Sequence, residues 1–185
     1  MYSTRILFLL CIAWAMVFFT ACENNMENVK VVTATDQTPL LVENNATIEY
    51  KDSGKTRFKL VATQLENYGG NDPYYVCKNG FTIDFYDDSM AVKSHISAEY
   101  GIRHDKSKLM EADKNVVVVN RKGDQLNTEQ LFWNENKHLI YTSKYVQIKT
   151  ATEILYGDGL QSNEDFSNYK ITNIKGTVTL DNSKK

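Results

Sequence analysis

The sequence predicts an all-β fold built from about ten short antiparallel strands. Three observations carry this. A short phrase recurs through the second half: Leu126 to Leu131, Ile140 to Tyr145 and Leu160 to Phe166 each place a hydroxyl residue (Thr128, Thr142, Ser162) two positions after an aliphatic one and a large apolar or aromatic residue soon after. Its hydroxyls are separated by about one strand plus one turn, too little for a helical repeat. Phe81-Thr82-Ile83-Asp84-Phe85 alternates with the period of a strand buried on one face. Helical periodicity is weak, and the two prolines, Pro39 and Pro73, lie outside the clear strands.

The chain opens with Arg5, the apolar run Ile6 to Phe19, and then Thr20-Ala21-Cys22. An apolar stretch of about 14 residues is a secretory signal rather than a membrane span, which needs roughly 20. Residues 1–21 are therefore expected to be a signal peptide. Cys22 follows a stretch that resembles a bacterial lipobox, with Phe19 where that pattern usually has Leu. Cys22 is the expected lipidation site; the alternative is an uncleaved anchor. Removing residues 1–21 takes away one charged residue, Arg5. The 21 Lys+Arg then fall to 20 against 23 Asp+Glu, a net charge of −3. That balance offers no polybasic footprint for nucleic acid or anionic head groups. Cys77 has no partner for an internal disulfide and is expected to be a small buried residue.

Residues 22–45 are polar and weakly patterned, which suggests a tether; a short strand at Val29 to Val32 is the alternative. Residues 46–180 are long enough for one domain with a core, and 181–185 form a polar tail. Within the domain, Phe58 to Ala62 and Phe81 to Phe85 are strands, and Asp87-Asp88 turns the chain. Ile96, Ala98, Tyr100 and Ile102 should then share one face. Val116 to Val119 is a β-branched run, followed by a turn at Lys122-Gly123-Asp124 and a strand ending at Trp133. Asn134 to Lys137 is another turn. Ile140-Tyr141 and Val146 to Ile148 continue the ladder; the β-branched content argues against a helical turn at Ser143 to Ile148. Ile154 to Leu160 carries Gly157 and Gly159, which mark a kink, a bulge or a close approach; a hairpin turn at Gly157-Asp158-Gly159 is the other reading. Tyr169 to Ile174 and Gly176 to Leu180 close the fold.

Catalytic signatures are missing. The histidines His95, His104 and His138 do not have metal-ligand spacing. Asp84, Asp87 and Asp88 lack the arrangement of a calcium loop and suggest a solvated turn. Nucleophile-elbow, Walker and dinucleotide patterns are absent. The sequence thus points to no enzyme, no metal and no cofactor.

The stretch Val116 to Trp133 resembles the V-x-x-x-N-x-x-G-x-x-L-x-T-x-x-L-x-W segment of the LptC family, the periplasmic component of the lipopolysaccharide export machine. Phe81 to Tyr86, Ser94 to Ala98, Ile140 to Thr142 and Gly157 to Ser162 resemble its other segments, in order, over roughly Lys55 to Leu180. Many members carry an uncleaved membrane helix, whereas this chain has a lipobox; the choice of inner or outer membrane stays open, with the inner membrane expected. The resemblance implies an open β-jellyroll of the OstA/LptA-like kind, folded over an apolar groove for acyl chains. It also implies edge-strand pairing with an inner-membrane ABC transporter complex and with a periplasmic LptA/OstA-like bridge protein. An exposed acyl chain costs about 0.8 kcal/mol per CH₂ in water, so such transport needs a continuous apolar path.

The candidate groove residues are Phe58, Leu60, Phe81, Ile83, Phe85, Ile96 and Ala98, followed by Tyr100, Leu126, Trp133, Ile140, Val146, Ile148 and Ile171. Each is also a candidate for plain core. For the partner edge and its bend the candidates are Gly157, Gly159, Tyr169, Ile171 and Val178, with Lys55 to Ala62 as the edge facing the transporter. Two other readings remain. A tethered, closed β-sandwich would bind a glycan or protein through Tyr74-Tyr75 or Trp133 and leave no lipid-sized space. A hydrolase would need a dispersed site.

Overall fold

The computed structural model describes residues 38–180. The expected signal peptide 1–21, Cys22, the Val29 to Val32 segment and the tail 181–185 lie outside them. Ten strands form one antiparallel sheet: β1 (Leu41–Asp52), β2 (Lys55–Tyr68), β3 (Tyr74–Tyr86), β4 (Val92–Ala98), β5 (Tyr100–His104), β6 (Leu109–Asn120), β7 (Gln125–Asn134), β8 (Leu139–Lys149), β9 (Glu153–Asn163) and β10 (Tyr169–Thr179). The order is β1-β2-β3-β4-β6-β7-β8-β9-β10, with β5 between β3 and β6. β4 and β5 thus share one position in the sheet. β1 and β10 are its two free edges.

The sheet folds over along a seam of irregularities that crosses nearly every strand. Registers slip between Ala62 and Gln64, Asp113 and Val116, Thr128 and Phe132, and Thr142 and Tyr145. Left-handed backbone gathers on the same line: Asn45, Asn79, Gly80, Lys114, Asn115 and Gly159 all have positive φ. Such bulges bend a strand and increase its twist. Inward residues on the two sides of the seam are three positions apart in β2 (Ala62, Leu65), β4/β5 (Ala98, Gly101), β7 (Thr128, Leu131) and β9 (Gly157, Leu160). They are four apart in β3 (Cys77, Phe81), β6 (Ala112, Val116) and β8 (Thr142, Val146). Strict two-residue alternation therefore breaks at the seam, alternately from strand to strand, and the sheet becomes two facing leaves.

Groups freed by the bend find partners, as buried polar groups must. Gly80 N donates to Glu99 O at 2.8 Å, and Glu99 N donates to Lys114 O at 3.1 Å. Thr128 Oγ1 donates to Tyr145 O at 2.8 Å, and Lys144 N donates to Thr142 Oγ1 at 3.0 Å. The recurrent hydroxyls of β7 and β8 are thus the last inward residues before the fold line. Ser162 acts elsewhere, its Oγ donating to Asn168 O at 3.0 Å across the β9–β10 turn.

Four expectations are corrected. The first strand begins at Leu41, inside the segment read as tether, because β1 is a polar edge strand with only Ala46 buried. Lys55 to Ala62 is consequently no edge; β1 covers it. Gly157-Asp158-Gly159 is no hairpin turn, since β9 runs through it. Tyr169 to Leu180 does not divide into two strands: β10 is continuous to Thr179, with a register slip between Ile174 and Gly176.

Candidate functional site

Every strand except β5 and β10 sends buried apolar side chains into one cluster between the leaves. Leu60, Phe81, Ile83, Phe85, Ile96, Ala98, Leu126, Trp133, Ile140, Val146 and Ile148 all belong to it, while Phe58 and Ile171 are partly buried against it. Tyr100 does not belong. The break at Glu99 shifts the alternation by one residue, so Gly101 faces inward and Tyr100 lies on the opposite face. Gly101 is required there: a Cβ would stand 2.7 Å from the Phe81 ring.

The two leaves meet through aromatic rings. Trp133 of one leaf packs edge-on to Phe58 at 5.1 Å and to Phe85 at 4.9 Å, both from the other. Phe58 stacks in turn on Tyr50 at 5.1 Å. Between the leaf tips lies an open cleft of about 620 Å³, lined by Tyr50, Phe58, Phe85, Trp133, Arg57 and Glu164 among others. That is the size of a small-molecule site, typically about 300–1,000 Å³. Deeper in, the leaves are packed tight; the space beside Phe81, Met110 and Trp133 amounts to about 10 Å³. The mouth is apolar on its floor and charged on its rim. On that rim Arg103 is held by Glu135, through Nε at 2.5 Å and Nη2 at 3.1 Å. Glu135 raises the Arg103 guanidinium further above its ordinary range, and Arg103 in turn lowers Asp105.

The remaining polar groups serve structure. Asp87 accepts from Ser89 N at 2.9 Å, Ala91 N at 3.0 Å and Ser89 Oγ at 2.6 Å and pairs with Arg121; the Ser89 hydroxyl first, and then Arg121, hold it well below the usual carboxylate range. Asp88 pairs with Arg57 at 3.0 Å and Asp84 with His95 at 2.6 Å. The three carboxylates diverge to different partners. Among the described residues no group of three or more His, Cys, Asp or Glu is placed to hold a metal ion, and no helix is long and apolar enough to cross a membrane. Burial pushes the Cys77 thiol up to about 12.

Both glycines of β9 serve the bend. A Cβ on Gly157 would lie 2.5 Å from both Asn173 O and Ile171 Cγ2, and Gly159 has φ +73°. Tyr169 and Ile171 face the cluster, while Ile174 and Val178 of β10 are exposed. The free edges differ in charge. β1 carries Glu43, Glu49 and Asp52 against Lys51, whereas β10 carries Lys170 and Lys175 and no acid.

Phe166, which closes the recurring phrase of Leu160 to Phe166, is placed where that phrase does not foretell, while Leu65, Met110 and Ala112 join the interior without having been singled out. Phe166 is fully buried, yet it sits in the loop after β9 with φ 51°. Its surroundings of Asn, Asp and Ser look like an ordinary turn, and no periodicity marks it.

No curated protein matches the chain. A family model described as "Lipopolysaccharide-assembly, LptC-related" matches residues 5–179, nearly the whole length. An all-β antiparallel sheet folded over an apolar interior, with both edges free, agrees with that match. The chain belongs to the lipopolysaccharide-assembly, LptC-related family and so takes part in lipopolysaccharide transport.

Proposed function

We propose that this chain is a non-enzymatic carrier, tethered by a lipid on Cys22 and facing the periplasm, most simply from the inner membrane. It receives lipopolysaccharide from an inner-membrane ABC transporter complex and passes it to an LptA/OstA-like bridge protein. The acyl chains travel between the two leaves, and the sugar part stays in water beyond the charged rim. The observation that carries this reading is the combination of an apolar interior drawn from nearly every strand with two long unpaired edges. A free edge of 11 or 12 residues is a template for another strand. Main-chain hydrogen bonds would continue the sheet into a neighbour on each side. The excess of acid on β1 and of lysine on β10 would fix which neighbour meets which edge. Energy for the transfer comes from the transporter.

The filled interior favours a second reading, a closed sandwich that binds a glycan or protein through its edges or rim. Photoreactive residues at Ile48 in β1 and Val178 in β10, introduced in cells, separate the two. The carrier reading expects adducts with the transporter from one edge and with the bridge protein from the other. It also expects lipopolysaccharide to accumulate at the inner membrane on depletion of the chain. Normal lipopolysaccharide export after depletion would leave the sandwich reading standing.

A further inference from the structure

The interior is full, and a lipid carrier needs room. A strand core cannot yield without breaking ladder hydrogen bonds, so the part that moves should be an inward group that no strand holds. Phe166 is that group. Among the described residues it is the largest fully buried side chain, and it lies in the loop between Asn163 and Tyr169. A positive φ is rare for an aromatic residue and persists only where its surroundings enforce it.

The loop crosses from the leaf that ends β9 to the opposite leaf. There Ser94 Oγ donates to Glu164 O at 2.8 Å, and Asn120 Nδ2 donates to Phe166 O at 3.0 Å. The Glu164 carboxylate reaches back, accepting from Trp133 Nε1 at 2.7 Å and lying 3.1 Å from His138 Nδ1. Inside the loop, Asp165 accepts from Ser167 N and Asn163 accepts from Asn168 N, each at 3.0 Å. It is therefore a preformed unit hung on β9 and β10. Side-chain hydrogen bonds and one ring fasten it across the gap. Glu164 and Trp133 line the mouth cleft, so the fastening lies where a ligand would arrive.

We propose that the space filled by Phe166 is an acyl-chain site, and that residues 164–168 are a plug which an incoming lipid chain displaces. The proposal rests on the carrier reading above. Its physical appeal is the balance of the exchange. One apolar group leaves the interior as another enters, and the Glu164 carboxylate already lines the open cleft, while Ser94 Oγ and Trp133 Nε1 give up their acceptors, a cost that keeps net binding weak. A site whose competent state must first be opened binds more weakly than its contacts alone would allow. Weak net binding lets a carrier release its load.

The test is hydrogen exchange on the full mature chain in lipid nanodiscs, with and without lipopolysaccharide, with a photoreactive residue at Phe85 to report loading. The plug predicts that exchange across residues 163–169 rises about tenfold as adducts form, while Val116–Asn120 stays protected. Adducts without a change in the loop overturn the plug and leave the carrier reading intact. Absence of adducts overturns both. Because Phe166→Ala empties the core and threatens folding, Ser94→Ala supplies the second variant. It removes one fastening and should raise adduct yield at Phe85 about threefold; an unchanged or lower yield in a folded protein contradicts the plug.

Discussion

Thr128 Oγ1 donates a hydrogen bond to the carbonyl of Tyr145 at 2.8 Å, at the place where the β7–β8 register breaks. This bond satisfies a carbonyl that the bend takes out of the ladder. Replacing Thr128 with Val keeps the shape and removes the donor. The expected loss is about 1 kcal/mol, the net worth of a part-buried hydrogen bond whose acceptor can turn to water. Urea denaturation of the variant checks it, and a loss below about 0.3 kcal/mol would show that the hydroxyl is incidental to the seam.

Glycines on the fold line should be far less replaceable than glycine elsewhere in the sheet. A methyl at Gly157 meets Asn173 O and Ile171 Cγ2 at 2.5 Å, whereas one at Gly176 meets nothing within 4 Å. Gly157→Ala should cost about 1–3 kcal/mol through overpacking. Gly176→Ala should stay within about 0.5 kcal/mol. Equal melting temperatures for the two variants would contradict a close-approach role for Gly157.

Cys77 is buried and its thiol is pushed up to about 12. At pH 8 roughly one thiol in ten thousand is then thiolate, the reactive form. A thiol reagent added to the folded protein should modify Cys77 only at the rate of opening, and rapidly in denaturant. Fast modification of the native chain would place Cys77 at the surface.

Glu66 is buried beneath Lys78 and Tyr68, accepting from Lys78 Nζ at 2.9 Å and Tyr68 Oη at 2.6 Å. The Lys78 hydrogen bond first, and then that of Tyr68, lower its carboxyl below the ordinary value. A depressed carboxylate stabilises the fold above its unfolded value, about 4.3, and loses that contribution as pH falls through the folded value. Lys78→Met should therefore cost about 1 kcal/mol at pH 7, a modest figure because Lys78 is part-exposed. The difference from the parent chain should shrink in acid. A gap that is constant from pH 7 to pH 3 would assign the loss to packing.

Strand positions were legible where one face is buried and alternation runs unbroken, but not in β2 past Ala62, the start of β3 at Val76 and Cys77, or the start of β6 at Met110 and Ala112, which the seam cuts off from the period. Phe81, Ile83 and Phe85 alternate because β3 packs on the interior there, and the Val116 to Trp133 stretch declared its strands and turn in the same way. β1 was hidden because an edge strand with one buried residue, Ala46, leaves no periodic signal. Tyr100 was misplaced for a different reason: the seam inserts a residue at Glu99, and strict alternation cannot cross it. The recurrent hydroxyls were visible as a pattern, but their purpose needed the register, since Thr128 and Thr142 matter through the backbone groups they satisfy. Phe166 was visible as the aromatic closing the third copy of the phrase, but its turn-like surroundings gave no hint that the ring points inward from a loop.

Passage of lipopolysaccharide between the two leaves is open to direct observation by photo-crosslinking in cells. One photoreactive residue replaces Phe85, which faces the interior and the cleft; the control replaces its neighbour Asp84, which faces outward toward His95. Lipopolysaccharide adducts are expected at position 85, absent at 84 and dependent on active transporter. A folded, correctly localised protein that gives no adduct at position 85 or at Trp133 would contradict passage between the leaves.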